Sequence, residues 1–282
     1  MRKVTLLGAT VLIGALTMFG TGCNKLKSRD NLNKGVNSFR NAKYADAVAF
    51  FQQATDLDPE NPNARVYMAT AYMMQWIPGA ESPENKEMAR KAREVFGEVL
   101  AKNPNETTAL ASLASLAYNE ADALPPDQKV AKLDEAAEWY NKLIGADANS
   151  RDGYYSLGAI AQKKFYPALM SARVNMNMKP EEPGPLKDKK VKEQLKTQYA
   201  PILDDGIKKL EKALEIDKEY DDAMAYMNLL IRERADLSDD KDEYAKQIQV
   251  ADSWLQKALD TKKMKQERLE KKSAAGIVSE SK

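Results

Sequence analysis

Cys23 is the one thiol among 282 residues, and it stands just after the one long apolar run in the chain. There is no histidine, so the usual general base, the usual zinc ligand and every histidine-dependent triad are missing. That removes most hydrolase chemistries at once. The 42 acidic residues remain as acids and bases, yet in a charge-rich chain most carboxylates are solvated surface. Nothing in the pattern calls for a metal or a cofactor. The cysteine is therefore the first residue whose presence needs a reason.

What surrounds it supplies one. Arg2 and Lys3 precede VTLLGATVLIGALTMF, Val4 to Phe19, and the small residues Gly20, Thr21 and Gly22 follow. A positive start, an apolar stretch and a small-residue cleavage site are the parts of a secretory signal peptide. An uncleaved membrane anchor is the alternative, but the stretch is shorter than the ~20 apolar residues a span needs. A single thiol exported to an oxidising space has no disulfide partner.

The segment resembles a bacterial lipoprotein precursor, matched at Thr21, Gly22 and Cys23; it departs from that pattern at Gly20, where an aliphatic residue is usual. The resemblance implies that residues 1–22 are a leader and that Cys23 carries three acyl chains, enough for stable anchoring. Asn24 after the cysteine is compatible with sorting to the outer membrane, facing the periplasm. Residues 23–30 are then a short linker, with Lys25, Lys27 and Arg29 placed near anionic headgroups.

Beyond the leader the chain reads as a protein folded in water: 30% of residues are charged and 43% hydrophobic. Only 13 Gly and 12 Pro favour helix over sheet. The 43 basic and 42 acidic residues nearly cancel, which argues against nucleic acid as a partner.

A repeat organises this helical content. In GVNSFRNAKYADAVAFFQQATDLDPENP, Gly35, Ala47 and Ala54 are small enough for two helices to approach, Phe51 fills the gap, and Pro59 ends the second helix. Pro104 follows Pro59 by 45 residues, with Ala92, Phe96 and Val99 in the same phase. Ala148 follows by 44, with Ala136, Tyr140 and Leu143. Ten residues past each closing position stands another small residue, Ala69, Ala114 and Gly158. More degenerate units carry Gly206, Leu210 and Ala213, closing at Lys218, and Ala251, Leu255 and Ala258, closing at Lys263. The offsets of Gly35, Tyr44, Ala47, Phe51, Ala54 and Pro59 resemble those of the tetratricopeptide (TPR) family. That resemblance implies an all-α, right-handed α-solenoid of about five helix pairs over residues 31–263.

The interval from Ala148 to Lys218 is 70 residues, long enough for an insertion in the fourth pair, at about 165–190. EEPGPL within it breaks a helix, while Phe165, Tyr166, Met170, Met176 and Met178 offer adaptable apolar surface. These side chains either pack the insertion onto its own repeat or form a flap that carries specificity. Residues 264–282 read as a basic, disordered tail.

Stacked helix pairs form a surface that holds a peptide or a partner's helix. The TPR resemblance places its lining on the first helix of each pair. In this chain those positions are Val36 and Arg40, Thr70 and Met73, Ser115 and Asn119, Tyr155, Gln162 and Lys163, and Leu229, Arg232 and Glu233. Family members that clamp a partner's C-terminal carboxylate use Lys and Asn where this chain has Leu32, Val36, Val66 and Thr70, so that clamp is not expected. An anchored array resembles the repeat lipoprotein of the outer-membrane β-barrel assembly machinery and the pilotins of pilus secretins. The expectation is a non-enzymatic, lipid-anchored scaffold for other envelope proteins. The alternative is an envelope enzyme using carboxylates on a cell-wall polymer.

Overall fold

The computed structural model describes residues 5–179 and 182–274. Among them the elements are α1 (Thr5–Arg40), α2 (Tyr44–Leu57), α3 (Pro62–Met73), α4 (Pro83–Lys102), α5 (Thr107–Glu120), α6 (Pro126–Ala146), α7 (Arg151–Asn175), α8 (Lys189–Ile216), α9 (Asp221–Ala235) and α10 (Lys241–Ala274), with a 3-10 turn at Ala121–Ala123. Taken in twos, these helices follow the order the repeat predicts. The chain divides into two compact units, Met1–Lys132 and Leu133–Lys282, and the division falls inside α6.

In the first unit each helix from α1 to α5 packs on the next. Gly35 is where α1 meets α2: a Cβ added there would lie 2.4 Å from the Phe51 ring, so only glycine admits the contact. Ala47 and Ala54 are fully buried beside Phe51, whose ring reaches onward to Tyr67 of α3 at 5.7 Å between centroids. One aromatic of the second helix thus joins its own pair to the next. Helix starts follow the capping rules. Asn61 accepts from the Asn63 amide and Ser82 from the Asn85 amide, with Pro62 and Pro83 as first helical residues.

The expected linker is not one. Residues 23–30 belong to α1, and Ser28 is fully buried, its Oγ donating to the Ala54 carbonyl at 2.7 Å. The first pair therefore begins before Asn31, and Lys25, Lys27 and Arg29 are exposed around that helix. Residues 1–4 of the predicted leader lie outside the described residues.

In the second unit α7 packs on α8, α8 on α9 and α9 on α10, with α7 also touching α9. Two glycines meet where α7 crosses α8. A Cβ on Gly158 would lie 2.5 Å from Leu210 Cγ, and one on Gly206 would lie 2.6 Å from the Ala161 Cβ and 3.7 Å from Gly158 Cα. Leu210, Ala213 and Ala251 are fully buried, as the repeat phase requires. Leu255 breaks the rule: it holds the place of Phe51 yet is 40% exposed. Phe51 is covered partly by the following helix, and α10 is the last element among the described residues.

The segment expected as an insertion is divided among three elements. Phe165–Asn175 extends α7, residues 176–188 connect, and Lys189 opens α8. Phe165, Leu169, Met178 and Leu186 are buried in one core with Leu203, Met227 and Leu230, so packing, and not a free flap, is their role. The connection is tied to the end of α9 and to α10. The Leu186 amide donates to the Asp236 carbonyl at 2.9 Å and the Gly184 amide to Tyr244 Oη at 2.8 Å. Gly184 has φ +114, a conformation that side chains resist.

The tail also differs from expectation. α10 runs through Ala274, and past Lys263 it is pinned to α9 by Lys265 on Asp221 and to the turn before α9 by Arg268 on Glu219. Residues 264–274 are therefore helical, and 275–282 lie outside the described residues. Among the described residues no helix is long and apolar enough to cross a membrane.

Candidate functional site

The twelve positions expected to line a binding surface all fall on the first helices of their pairs, but the two units treat them differently. In the first unit, Val36 and Arg40 are on α1, Thr70 and Met73 on α3, and Ser115 and Asn119 on α5. Their polar groups are satisfied at home: Thr70 Oγ1 donates to the Val66 carbonyl at 2.8 Å, and Asn119 Nδ2 to the Ser115 carbonyl at 2.8 Å. Arg40 is exposed and Val36 and Met73 are half-buried. None of the six lines the two clefts of about 560 and 500 Å³ in this unit, which are walled by residues such as Arg65, Arg90 and Glu94, and Trp76, Arg93 and Glu120.

In the second unit the positions converge. Leu229, Arg232 and Glu233 of α9 open onto a cleft of about 320 Å³, faced by α7, the 176–188 connection and α10. Gln162 of α7 joins them, its Nε2 donating to Glu233 Oε1 at 2.8 Å. Arg232 stands half-exposed at the rim, paired with Asp252. Tyr155 lies elsewhere, packed against Tyr220 and Tyr226 with centroids 5.2 Å away in each case. Lys163 is half-buried on α7 and does not line the cleft.

Two residues of the cleft, Arg173 and Asp236, escaped the sequence. Arg173 is 4% exposed; its guanidinium donates to the carbonyls of Lys179 at 3.2 Å and Glu182 at 3.0 Å, and to Asp236 Oδ2 at 2.9 Å. It thereby fastens α7 to the connection and to the end of α9. A lone arginine after the apolar i, i+4 series Phe165, Leu169 and beside Ala172 was the available signal, but its partner is 63 positions away.

Burial sets the protonation of this cleft. Glu233 is 7% exposed, and burial, reinforced by the nearby Asp236 charge, pushes its carboxyl up to about 8 despite the hydrogen bond from Gln162. It is therefore mostly neutral at pH 7. Asp236 is also pushed up by burial, against the pull of Arg173. Asp239, at the open end of the same turn, behaves oppositely: hydrogen bonds from Lys196 and Lys192 hold its carboxyl down to about 2. Among the described residues no cluster of His, Cys, Asp or Glu could hold a metal ion. Cys23 is exposed and unpaired on α1.

No protein-family model matches the sequence, and no curated protein matches it significantly. Solved structures do. MamA from Desulfovibrio magneticus RS-1 aligns with a TM-score of 0.50 at 15% identity, over 84% of this chain and 96% of that one. A MamA RS-1 double mutant gives 0.50 at 16% identity, over 85% and 96%. A thermophilic TPR protein of Thermus thermophilus gives 0.40 at 16% identity, over 72% and 99%. At such identities the likeness to the MamA structures is one of fold alone, and together with the packing of successive helices it makes the chain an all-helical α-solenoid.

Proposed function

We propose that this protein is a lipid-anchored scaffold that binds other cell-envelope proteins, attached through Cys23 and facing the periplasm from the outer membrane. The observation that carries the binding role is the convergence of Gln162, Leu229, Arg232 and Glu233, positions of the first helices, on one face of the second unit around an open cleft. Helix pairs of this kind present side chains on a rigid frame, which suits recognition of a protein segment. The anchor rests on the charged, apolar and small-residue series that ends at Cys23, and on the exposure of that cysteine. A place in outer-membrane protein or pilus-secretin assembly fits an anchored array of this type.

The carboxylate-enzyme alternative has one observation in its favour, because Glu233 holds its proton near pH 7 as a general acid would. Its neighbours do not complete the chemistry. Asp236 is held by Arg173, and Glu182 is held by Lys187 and by the Lys179 amide, so among the described residues the cleft offers no unengaged carboxylate as a base. The experiment that separates the two is in vivo crosslinking of the full chain followed by identification of what copurifies. A discrete set of envelope proteins, reduced by Arg232→Glu and unchanged by Asp56→Asn on the first unit, supports the scaffold. Loss of a cell-wall turnover activity in Glu233→Gln with the partner set intact would favour the enzyme.

A further inference from the structure

The second-unit cleft has a feature that a protein-docking surface does not need: unmet donors at its polar wall. Glu233 Oε2 and Arg173 Nε are buried with no hydrogen-bond partner among the described residues, and both residues line the cleft. Their side chains are among the least exposed polar groups in the chain, at 7% and 4%. Folded proteins pair nearly all such atoms, so two exceptions lining one cleft call for an explanation.

We propose that this cleft is a binding site for a compact apolar group that carries one oxygen acceptor. Leu169, Met170, Leu229 and Ile248 provide apolar wall, and Tyr166 and Tyr244 add amphipathic edges. The volume of about 320 Å³ stands at the small end of ordinary ligand sites, enough for a chain of several carbons. Polarity chooses the rest of the ligand. Arg173 Nε–H can only donate, and Glu233, which keeps its proton at neutral pH, presents an O–H. Two unpartnered donors on residues that line the cleft favour a carbonyl or carboxylate oxygen over a ligand that can only donate. An ammonium group is disfavoured, because it has no lone pair with which to accept from either donor. Leu229, 39% exposed, and Tyr166, 44% exposed, leave apolar surface at the mouth, where such a ligand would enter.

The same chemistry occurs in a free medium-chain carboxylic acid and in an apolar residue of a partner chain with its backbone carbonyl. Photolabelling of the full chain in native membranes distinguishes them, using diazirine-bearing octanoic acid and diazirine-bearing N-acetyl-leucine methylamide as probes. Saturable labelling by either, mapped to the segments around Met170, Leu229 and Ile248 and competed by its unlabelled parent, is the expected result. Octanoic acid alone identifies a free acid, and the leucine probe alone identifies a residue of a partner. Leu229→Trp, at an exposed wall position, should plug the mouth and lower labelling at least tenfold with the circular dichroism unchanged. Glu233→Leu should lower it about tenfold by removing one donor, while Glu233→Gln, which keeps one, should stay within about threefold. Labelling that fails to saturate, or that is the same in Leu229→Trp as in the parent, overturns the site. Partner crosslinking that persists in Leu229→Trp would leave the scaffold standing without it.

Discussion

Gly158→Ala should destabilise the protein although alanine is the better helix former. The added Cβ would lie 2.5 Å from Leu210 Cγ, 2.7 Å from Cδ2 and 3.1 Å from Cδ1. Ordinary carbon contacts are about 3.5–4.0 Å, so the overlap is roughly 1 Å or more. Leu210 cannot swing away, because it is fully buried and all three branch atoms crowd the new methyl. Overpacking of this kind costs about 1–3 kcal/mol, and the helix-propensity gain of about 1 kcal/mol offsets part of it. A net loss of up to about 2 kcal/mol lowers the melting temperature by up to roughly 8 °C for a unit of this size. Circular dichroism melts of Gly158→Ala beside Gly97→Ala supply the control. Gly97 is exposed on α4 with nothing within 4 Å of its added Cβ, so that change should raise stability by about 0.5–1 kcal/mol. Leu210→Ala alone should cost about 2–5 kcal/mol, and the double variant less than the sum, because the first change makes room for the second. A Gly158→Ala protein that melts higher, as Gly97→Ala does, would refute the close crossing of α7 and α8.

Arg173→Met should cost about 3–5 kcal/mol, because it leaves Asp236 buried without its cation, and adding Asp236→Leu should recover part of that in urea titrations. The Glu233 carboxyl, near 4.5 when unfolded and about 8 when folded, makes the folded state hold a proton that the unfolded state has lost; stability therefore falls as pH rises from about 4.5 to 8 and levels off above. Glu233→Gln should flatten that slope and melt higher than the parent at pH 8 but not at pH 4, while Asp236, shifted the same way, keeps a residual slope. Cys23→Ala should release the protein from membranes and abolish incorporation of labelled palmitate; retention of both would end the anchor reading.

The sequence was most informative where a side chain's role depends on its own pair. Gly35 against Phe51, and Gly158 beside Gly206, were legible because small residues at fixed phase have few other uses in a helix. Leu255 shows the limit, since its burial needs a following helix and no residue near it reports whether one exists. Ser28 was missed because Lys25, Lys27 and Arg29 around it resemble solvated linker, although a helix exposed on most of its circumference can carry all three charges and still bury the serine. The long fourth interval looked like an insertion because EEPGPL interrupts it, and Pro167 gave no hint that α7 continues through it. Arg173 and Asp236 form a tertiary pair across 63 positions, a distance at which local pattern carries no information.

The continuity of α1 from Cys23 into the first helix pair has a mechanical consequence. Seven residues of extended chain would give a swivel with up to about 25 Å of slack, whereas seven residues of helix rise about 10 Å and resist bending and twisting. With a lipid on Cys23, the first unit is mounted on a strut instead of a leash. Its azimuth is then set by the register of the helix: inserting two residues after Asn24 turns the unit by about 200° about the stem, and inserting seven returns it nearly to its starting heading, one storey higher.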